Sequence, residues 1–147
     1  MPRATGERQF DLRLRLVRQI REQRTGREPT RQFASASFDA HAWEIYTSLG
    51  TGGSILMVAP EQIRDSLART IRDQGVTHSF LPPSLLAGMS EDLVLSSVAV
   101  GSEACSADVV GRWSQGRRLV NVYGPTESTV INTMTELMPW PWRARVD

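Results

Sequence analysis

One seven-residue stretch, Asn-Val-Tyr-Gly-Pro-Thr-Glu at 121–127, combines an aromatic face, a hydroxyl and a carboxylate in a predicted loop. Its Gly-Pro pair predicts a tight turn, so the neighbouring side chains project from the end of the preceding strand. The ring of Tyr123 suits a nucleobase, the hydroxyl of Thr126 a phosphate oxygen, and the carboxylate of Glu127 a magnesium ion. The stretch is therefore a candidate nucleotide and Mg²⁺ site. The structural alternative is that Thr126 and Glu127 only cap a following element.

The composition restricts the class of protein. With 147 residues, 40% of them apolar and 22% charged, the chain is expected to be globular and soluble. Its longest apolar run, 55–59, is too short to cross a bilayer, and charges interrupt the N-terminal region where a signal peptide would need an apolar core. We therefore expect a cytoplasmic protein with no membrane partner. One cysteine, Cys105, excludes an internal disulfide, and two histidines are too few for a zinc cluster.

The charge is unevenly distributed along the chain. Residues 1–31 contain nine arginines and four acidic residues, a net charge of +5, whereas the rest carries −4. Such a segment is either a basic arm that binds nucleic acid or a solvated, arginine-rich helix. Because a single aromatic residue, Phe10, does not make a platform that stacks on bases, we favour the second interpretation and expect no nucleic-acid partner.

From about residue 32, predicted strands and helices alternate. A helix begins near Asp39, with an expected apolar stripe of Ala42, Trp43, Ile45, Tyr46 and Leu49. A second helix runs from Pro60 towards Gly75, and two shorter ones cover 84–89 and 106–114. Strands are expected at 54–58, 76–81, 97–100 and 119–122, with a weaker one within 130–137.

This alternation predicts an α/β fold with a mainly parallel sheet, right-handed crossovers and flanking helices. We assign 32–138 to one partial domain and leave residues 1–31 and 139–147 without an assigned structure. In such sheets the ligand lies at the carboxyl ends of the strands. That rule selects the loop after Leu81, the turn at 101–103 and the loop at 123–127.

Four segments, in order, carry a family resemblance. Residues 121–127 resemble the Asn-x-Tyr-Gly-Pro-Thr-Glu motif of adenylate-forming (AMP-binding) enzymes, and more narrowly of the amino-acid-activating adenylation domains of nonribosomal peptide synthetases. Residues 37–45 resemble the Phe-Asp-x-Ser-x-Trp-Glu motif of that family, 81–84 its Leu-Pro-Pro-Ser/Thr turn, and 100–104 its Gly-Gly-Glu segment. Two positions depart from the pattern: His41 replaces a small hydroxyl residue, and Ser102 replaces the second glycine.

The resemblance implies roles for individual residues. Asp39 would pair with the α-ammonium group of an amino acid, although the same carboxylate is also the expected N-cap of its helix. Thr126 would contact the α-phosphate of ATP, and Glu127 would bind Mg²⁺. The residues implied near the adenosine are Gly101, Ser102, Glu103, Asn121, Tyr123 and Gly124.

The resemblance also implies a side-chain pocket for the amino acid. By alignment to the motifs, it consists of Asp39, Ala40, Trp43, Phe80, Val98, Val100, Val122, Val130 and Ile131. All but Asp39 are apolar, so the implied substrate is a hydrophobic amino acid, since a polar side chain would be desolvated without compensation. The alternative is that these residues are simply core residues at strand ends.

The resemblance implies the activity of a complete adenylation domain, which forms an aminoacyl-AMP from ATP and an amino acid and delivers it to a carrier-protein domain. Residues 1–31 show no phosphate loop of the family, and the chain contains no lysine to serve as the family's catalytic lysine. We therefore expect an internal fragment that is inactive alone. The alternatives are a non-catalytic remnant that binds a nucleotide or a partner, and a relative of the acyl-CoA ligases, which Asp39 disfavours.

Overall fold

A six-stranded sheet forms the centre of the computed structural model, which describes residues 29–57 and 60–137, with the backbone alone for 60–66. Its strands, in chain order, are β1 Pro29–Arg31, β2 Ser54–Leu56, β3 His78–Phe80, β4 Ser97–Val100, β5 Arg118–Tyr123 and β6 Thr133–Glu136. Their spatial order is β2-β1-β3-β4-β5-β6. The first five are parallel to one another, and β6 is antiparallel to β5. The predicted α/β class with a mainly parallel sheet is confirmed.

Helices connect the strands at the predicted places. They are α1 Asp39–Gly50, α2 Pro60–Asp73, α3 Pro83–Ala87, α4 Ala107–Trp113 and a single 3₁₀ turn, Thr126–Ser128. Ser106 caps α4 by accepting the Val109 N–H at 3.3 Å. The chain leaves α2 through Gly75, whose φ of +61° suits glycine at a helix end. No helix among the described residues is long and apolar enough to cross a membrane.

Strand β1 lies entirely in the segment 1–31 that sequence reasoning left unassigned. It is nevertheless an inner strand, because Thr30 pairs with Ile55 of β2 on one side and His78 of β3 on the other. The loop that follows it leads directly into α1. The rest of that unassigned segment, residues 1–28, and the whole of 139–147 lie outside the described residues.

The two faces of the sheet bury different clusters. The larger core contains alternate residues of β4, Val98 and Val100, together with Trp113 of α4. Trp113 is fully buried and its Nε1 donates to the Leu86 carbonyl at 3.1 Å. The smaller cluster lies on the α1 side and consists of Trp43, Phe80, Ala99, Val120, Val122 and Ile131. Side chains alternate between faces along each strand, which separates the two sets.

Of the expected apolar stripe, helix α1 fully buries only Trp43. Its buried residues are Trp43, Glu44, Thr47 and Ser48, whereas Tyr46 is 62% and Leu49 55% exposed. The Glu44 carboxylate explains the difference: it accepts the backbone N–H groups of Phe33 at 3.0 Å and Ala34 at 2.9 Å. Because the Glu44 carboxylate points into the protein, the opposite face of the helix, which carries Tyr46 and Leu49, points towards solvent.

Glu44 and Arg31 bring ionisable groups into the interior. Burial raises the pKa of Glu44 to about 7, against the lowering effects of its backbone hydrogen bonds and of Arg31. Burial likewise lowers the pKa of Arg31, whose guanidinium nitrogens find no hydrogen-bond partner among the described residues. Its nearest aromatic partner is Phe33, with the guanidinium carbon 5.7 Å from the ring centroid.

The Glu44 pKa predicts a pH-dependent stability. The unfolded carboxyl releases its proton near 4.5 and the folded one near 7, so the folded state binds more protons between these values. The stabilisation is complete below pH 4.5 and is lost as the pH rises to about 7, a fall on the order of 3 kcal/mol. Urea denaturation from pH 4.5 to 7.5 should show this fall in the free energy of unfolding.

Glu44→Gln keeps an acceptor for Phe33 and Ala34 but removes the titration, so its profile should be flatter than that of the unsubstituted chain. Both proteins retain His41 and His78, so the difference between them isolates Glu44. Glu127→Gln, at an exposed carboxylate, is the control for the loss of one negative charge at the surface. Parallel profiles for Glu44→Gln and the unsubstituted chain would contradict the prediction.

Candidate functional site

A cavity of about 710 Å³ opens where β3, β4 and β5 end. This is the size of a small-molecule site, and its location at the carboxyl edge of a parallel sheet matches the expectation from topology. The residues that line it are Asp39, Ala40, Trp43, Phe80, Gly101, Ser102, Glu103, Ala104, Cys105, Asn121, Val122, Tyr123, Gly124, Val130, Ile131 and Leu137.

Asp39 enters the cavity from the first turn of α1. Phe38, not Asp39, occupies the N-cap position, and no side chain caps the helix. The expected N-cap role of Asp39 is therefore wrong. Its carboxylate instead accepts a hydrogen bond from the Thr126 hydroxyl at 2.6 Å. This contact joins two segments that lie 87 residues apart in sequence.

Two side chains of α1 contact the loop between β1 and α1 and hold it in place. In addition to Glu44, His41 contacts this loop: its Nδ1 lies 3.2 Å from the Ala34 carbonyl oxygen and 3.0 Å from the Gln32 side-chain nitrogen. The histidine that replaces the family's small hydroxyl residue thus still makes a local hydrogen bond: according to its tautomer, Nδ1 donates to the Ala34 carbonyl or accepts from the Gln32 side chain. Together these contacts set the start of α1 and hence the position of Asp39.

The turn after β4 approaches its neighbours closely. A Cβ atom at Gly101 would lie 2.7 Å from the Val122 carbonyl oxygen, so a larger residue would displace the strand ends. Ser102 follows with a φ of +72°, a left-handed conformation that favours glycine. Glu103 accepts the Ser84 N–H at 2.5 Å, and its hydrogen bonds to Ser84 lower its pKa. The turn is thereby tied to the start of α3.

The loop after β5 turns sharply and folds back on itself. The Tyr123 carbonyl accepts the Asn132 N–H at 2.8 Å, which closes the loop. A Cβ atom at Gly124 would lie 2.5 Å from the Val130 carbonyl oxygen, so this position also needs glycine. Tyr123 is exposed and lines the cavity, and its aromatic ring is of the kind on which a flat ligand can stack.

The structure brings most of the expected site residues together, with four exceptions. Val98 and Val100 point away from the cavity and are fully buried in the larger core, because Ala99 between them faces α1. Thr126 does not line the cavity but contacts it through Asp39. Glu127 is exposed on the 3₁₀ turn, and the described residues contain no group of three side chains able to hold a metal by themselves.

Three lining residues were not expected from sequence: Ala104, Cys105 and Leu137. Two of them follow the Gly-Ser-Glu turn, whose path no periodic pattern defines. Burial raises the pKa of the Cys105 thiol, with a further contribution from the negative charge of Glu103. The thiol is therefore protonated at neutral pH, which fits an apolar wall and not a nucleophile.

Comparison with known proteins identifies a family. The AMP-binding enzyme model matches residues 12–146. Novobiocin biosynthesis protein H of Streptomyces niveus is 43% identical over 114 residues, which are 76% of this chain and 19% of that protein. The chain thus spans about a fifth of the length of this relative.

Two solved structures share the fold. The adenylation domain AlmE of Vibrio cholerae, solved with glycyl-adenosine-5′-phosphate, has a TM-score of 0.77 and 21% identity, over 89% of this chain and 27% of that one. An artificially fused adenylation–PCP di-domain from Klebsiella oxytoca has a TM-score of 0.71 and 23% identity, over 85% of this chain and 26% of that one. At these identities the likeness establishes the fold alone.

The left-handed backbone of Ser102 predicts opposite stability changes for two substitutions, one at Ser102 and one at Gly75. Ser102→Gly should raise the free energy of unfolding by roughly 0.5–1 kcal/mol, because relief of the left-handed strain exceeds the entropy that glycine adds to the unfolded chain. Gly75→Ser is the matched opposite: its φ is also positive and open space surrounds its Cβ position. The free energy of unfolding of Gly75→Ser should fall by a similar amount. Urea denaturation measures both, and a loss of stability in Ser102→Gly would contradict the account of this turn.

Proposed function

The chain belongs to the AMP-binding enzyme family, and from that premise we propose that the cavity at the carboxyl edge of its sheet binds an aminoacyl-adenylate, the mixed anhydride of an amino acid and AMP. The observation that carries the proposal is the Asp39–Thr126 hydrogen bond of 2.6 Å. It places a carboxylate, suited to an ammonium group, beside a hydroxyl, suited to a phosphate oxygen. An aminoacyl-adenylate presents these two groups a few bonds apart.

The amino-acid end would occupy the part of the cavity beside α1. Asp39 would exchange the Thr126 hydroxyl for the ligand's α-ammonium group, which is a stronger, charge-assisted partner. Around it the lining is apolar and includes Trp43, Phe80, Val122 and Ile131. Because a polar side chain would lose its hydration there without a replacement partner, the proposed substrate is a hydrophobic amino acid.

The nucleotide end would lie along the turns after β4 and β5. The Tyr123 ring would stack on adenine, with Asn121 and the backbone of Gly101, Ser102 and Gly124 around the base. Thr126, released by Asp39, would donate to the phosphate. Glu127 fits one position in a Mg²⁺ shell, since this ion is commonly bound through one or two carboxylates plus substrate phosphates and water.

The reaction of the complete domain would be attack of the amino-acid carboxylate oxygen on the α-phosphorus of ATP, with pyrophosphate as the leaving group. This chain contains no lysine, so it does not supply the cationic side chain that the resemblance implies for the transition state. Electrostatic stabilisation is usually the largest catalytic contribution. We therefore propose that this chain binds the ligand but does not turn it over. In the complete enzyme, a carrier-protein domain would accept the product.

Calorimetric titration with aminoacyl-sulfamoyl-adenosines, unreactive analogues of the adenylate, tests the proposal. The leucyl or phenylalanyl analogue should bind at least tenfold more tightly than the aspartyl analogue, a difference of about 1.4 kcal/mol. Asp39→Asn should weaken the leucyl analogue by a similar factor but leave the analogue without the amino group unaffected. Asp108→Asn, which changes an exposed carboxylate of α4, is the control.

ATP–pyrophosphate exchange by the same preparation separates binding from catalysis. Tight binding of the analogues with no exchange above background agrees with the proposal. Exchange that depends on a hydrophobic amino acid would contradict the assignment of binding without turnover. Absence of analogue binding at millimolar concentration would contradict the proposed ligand class itself.

A further inference from the structure

Helix α3 receives its N-terminal cap from a distant part of the chain. Within the described residues, Pro82 occupies the N-cap position, which provides no side-chain cap, and the first turn holds no acidic residue. The first N–H groups of a helix have no partner inside it, and a side-chain oxygen commonly supplies one. Here Glu103, 19 positions further along the chain, accepts the Ser84 N–H at 2.5 Å. The Ser84 hydroxyl also hydrogen-bonds this carboxylate.

The carboxyl end of α3 is anchored in the larger core. The Trp113 indole donates to the Leu86 carbonyl at 3.1 Å, and the Arg112 guanidinium donates to the Ala87 carbonyl at 3.0 Å. Leu86 and Trp113 are both fully buried. Because its last turn is held in this way, α3 is a fixed point for anything that its first turn contacts.

The turn at 101–103, which lines the cavity, needs such a fixed point. Ser102 has a φ of +72°, and strained backbone persists only where the surrounding structure determines it. On one side, Gly101 lies so close to β5 that a Cβ atom there would be 2.7 Å from the Val122 carbonyl oxygen. On the other side, Glu103 contacts Ser84. The strained residue is therefore held between β5 and α3.

We infer that Glu103 is a positioning residue: by capping α3 it holds the Ser102 turn in the conformation that lines the cavity, and it does not itself contact the ligand. The family resemblance implied only a place for Glu103 near the adenosine. A free carboxylate there would repel the phosphate of an adenylate, whereas this one accepts two hydrogen bonds from Ser84. The effect on the ligand rests on the proposed function, but the capping contact does not.

Measurement of ¹⁵N relaxation on the full chain tests the positioning role without a ligand. In the unsubstituted chain, the Ser102 amide should have an order parameter of about 0.85, as in rigid backbone. Glu103→Ala should lower this value below about 0.6. Glu103→Gln keeps an acceptor oxygen for the Ser84 N–H and should restore most of the rigidity. The Trp113 indole is the control for an intact core and should not change.

If Glu103→Ala does not fold, Ser84→Ala takes its place and should lower the Ser102 order parameter by a smaller amount, because only the hydroxyl donor is lost. A Ser102 amide that is equally rigid with and without the Glu103 carboxylate would overturn the inference.

A double-mutant cycle with leucyl-sulfamoyl-adenosine distinguishes an indirect role from direct contact with the ligand. Glu103→Ala should weaken binding about tenfold and Ser84→Ala about threefold. Because both changes act through one contact, Ser84→Ala should cause no further loss in the Glu103→Ala background. Asp73→Asn, at an exposed carboxylate of α2, controls for the loss of one negative charge and should leave the affinity unchanged.

Two results of the cycle would contradict the positioning role. They are unchanged or tighter binding by Glu103→Ala, and a Ser84→Ala effect of equal size in both backgrounds. If the unsubstituted chain does not bind the analogue, the proposed function is wrong, and the relaxation of Ser102 alone decides the role of Glu103.

Discussion

The inward-facing carboxylate of Glu44 holds the loop between β1 and α1. The arrangement of the cavity at the carboxyl edge of the sheet depends on this contact. Its hydrogen bonds to the Phe33 and Ala34 N–H groups determine where α1 begins, and α1 begins with Asp39. The same contacts turn Trp43 towards the sheet, where its ring closes the side of the cavity. Because burial makes the Glu44 carboxyl costly to ionise, its pKa is raised, and this unfavourable effect accompanies the fixed geometry of the loop.

Unfavourable local features collect around the cavity. Among the described residues, the three non-glycine residues with positive φ are Ser102 and Val130, which line the cavity, and Thr129, which precedes Val130. Backbone strain persists only where the surrounding structure determines it, and it is commonly found where a ligand is held. The larger core on the opposite face is filled by Leu and Val residues around Trp113 and supplies compensating stability.

The sequence predicted the elements better than it predicted their orientation. The alternation of strands and helices defined the parallel sheet, and the location of the cavity at its carboxyl edge followed from topology. Strand β1 was missed because three residues that include Thr30 and Arg31 carry no apolar pattern, and only pairing with both neighbours makes them a strand. Val98 and Val100 were expected in the pocket, but which face a strand residue occupies depends on register, which sets Ala99 beside Phe80. The buried face of α1 was likewise set by hydrogen bonds that hydrophobicity does not encode.

The central claim is that Asp39 exchanges Thr126 for a ligand at the carboxyl edge of the sheet. Its most direct test is chemical-shift mapping of the full chain with leucyl-sulfamoyl-adenosine, followed at the Asp39 carboxyl carbon, the Thr126 backbone amide and the Trp43 indole. The account predicts that these three signals shift together with one binding constant, while the Trp113 indole in the opposite core does not move. Shifts centred on the Trp113 side, or binding that leaves the Asp39 carboxyl and Thr126 unchanged, would contradict it.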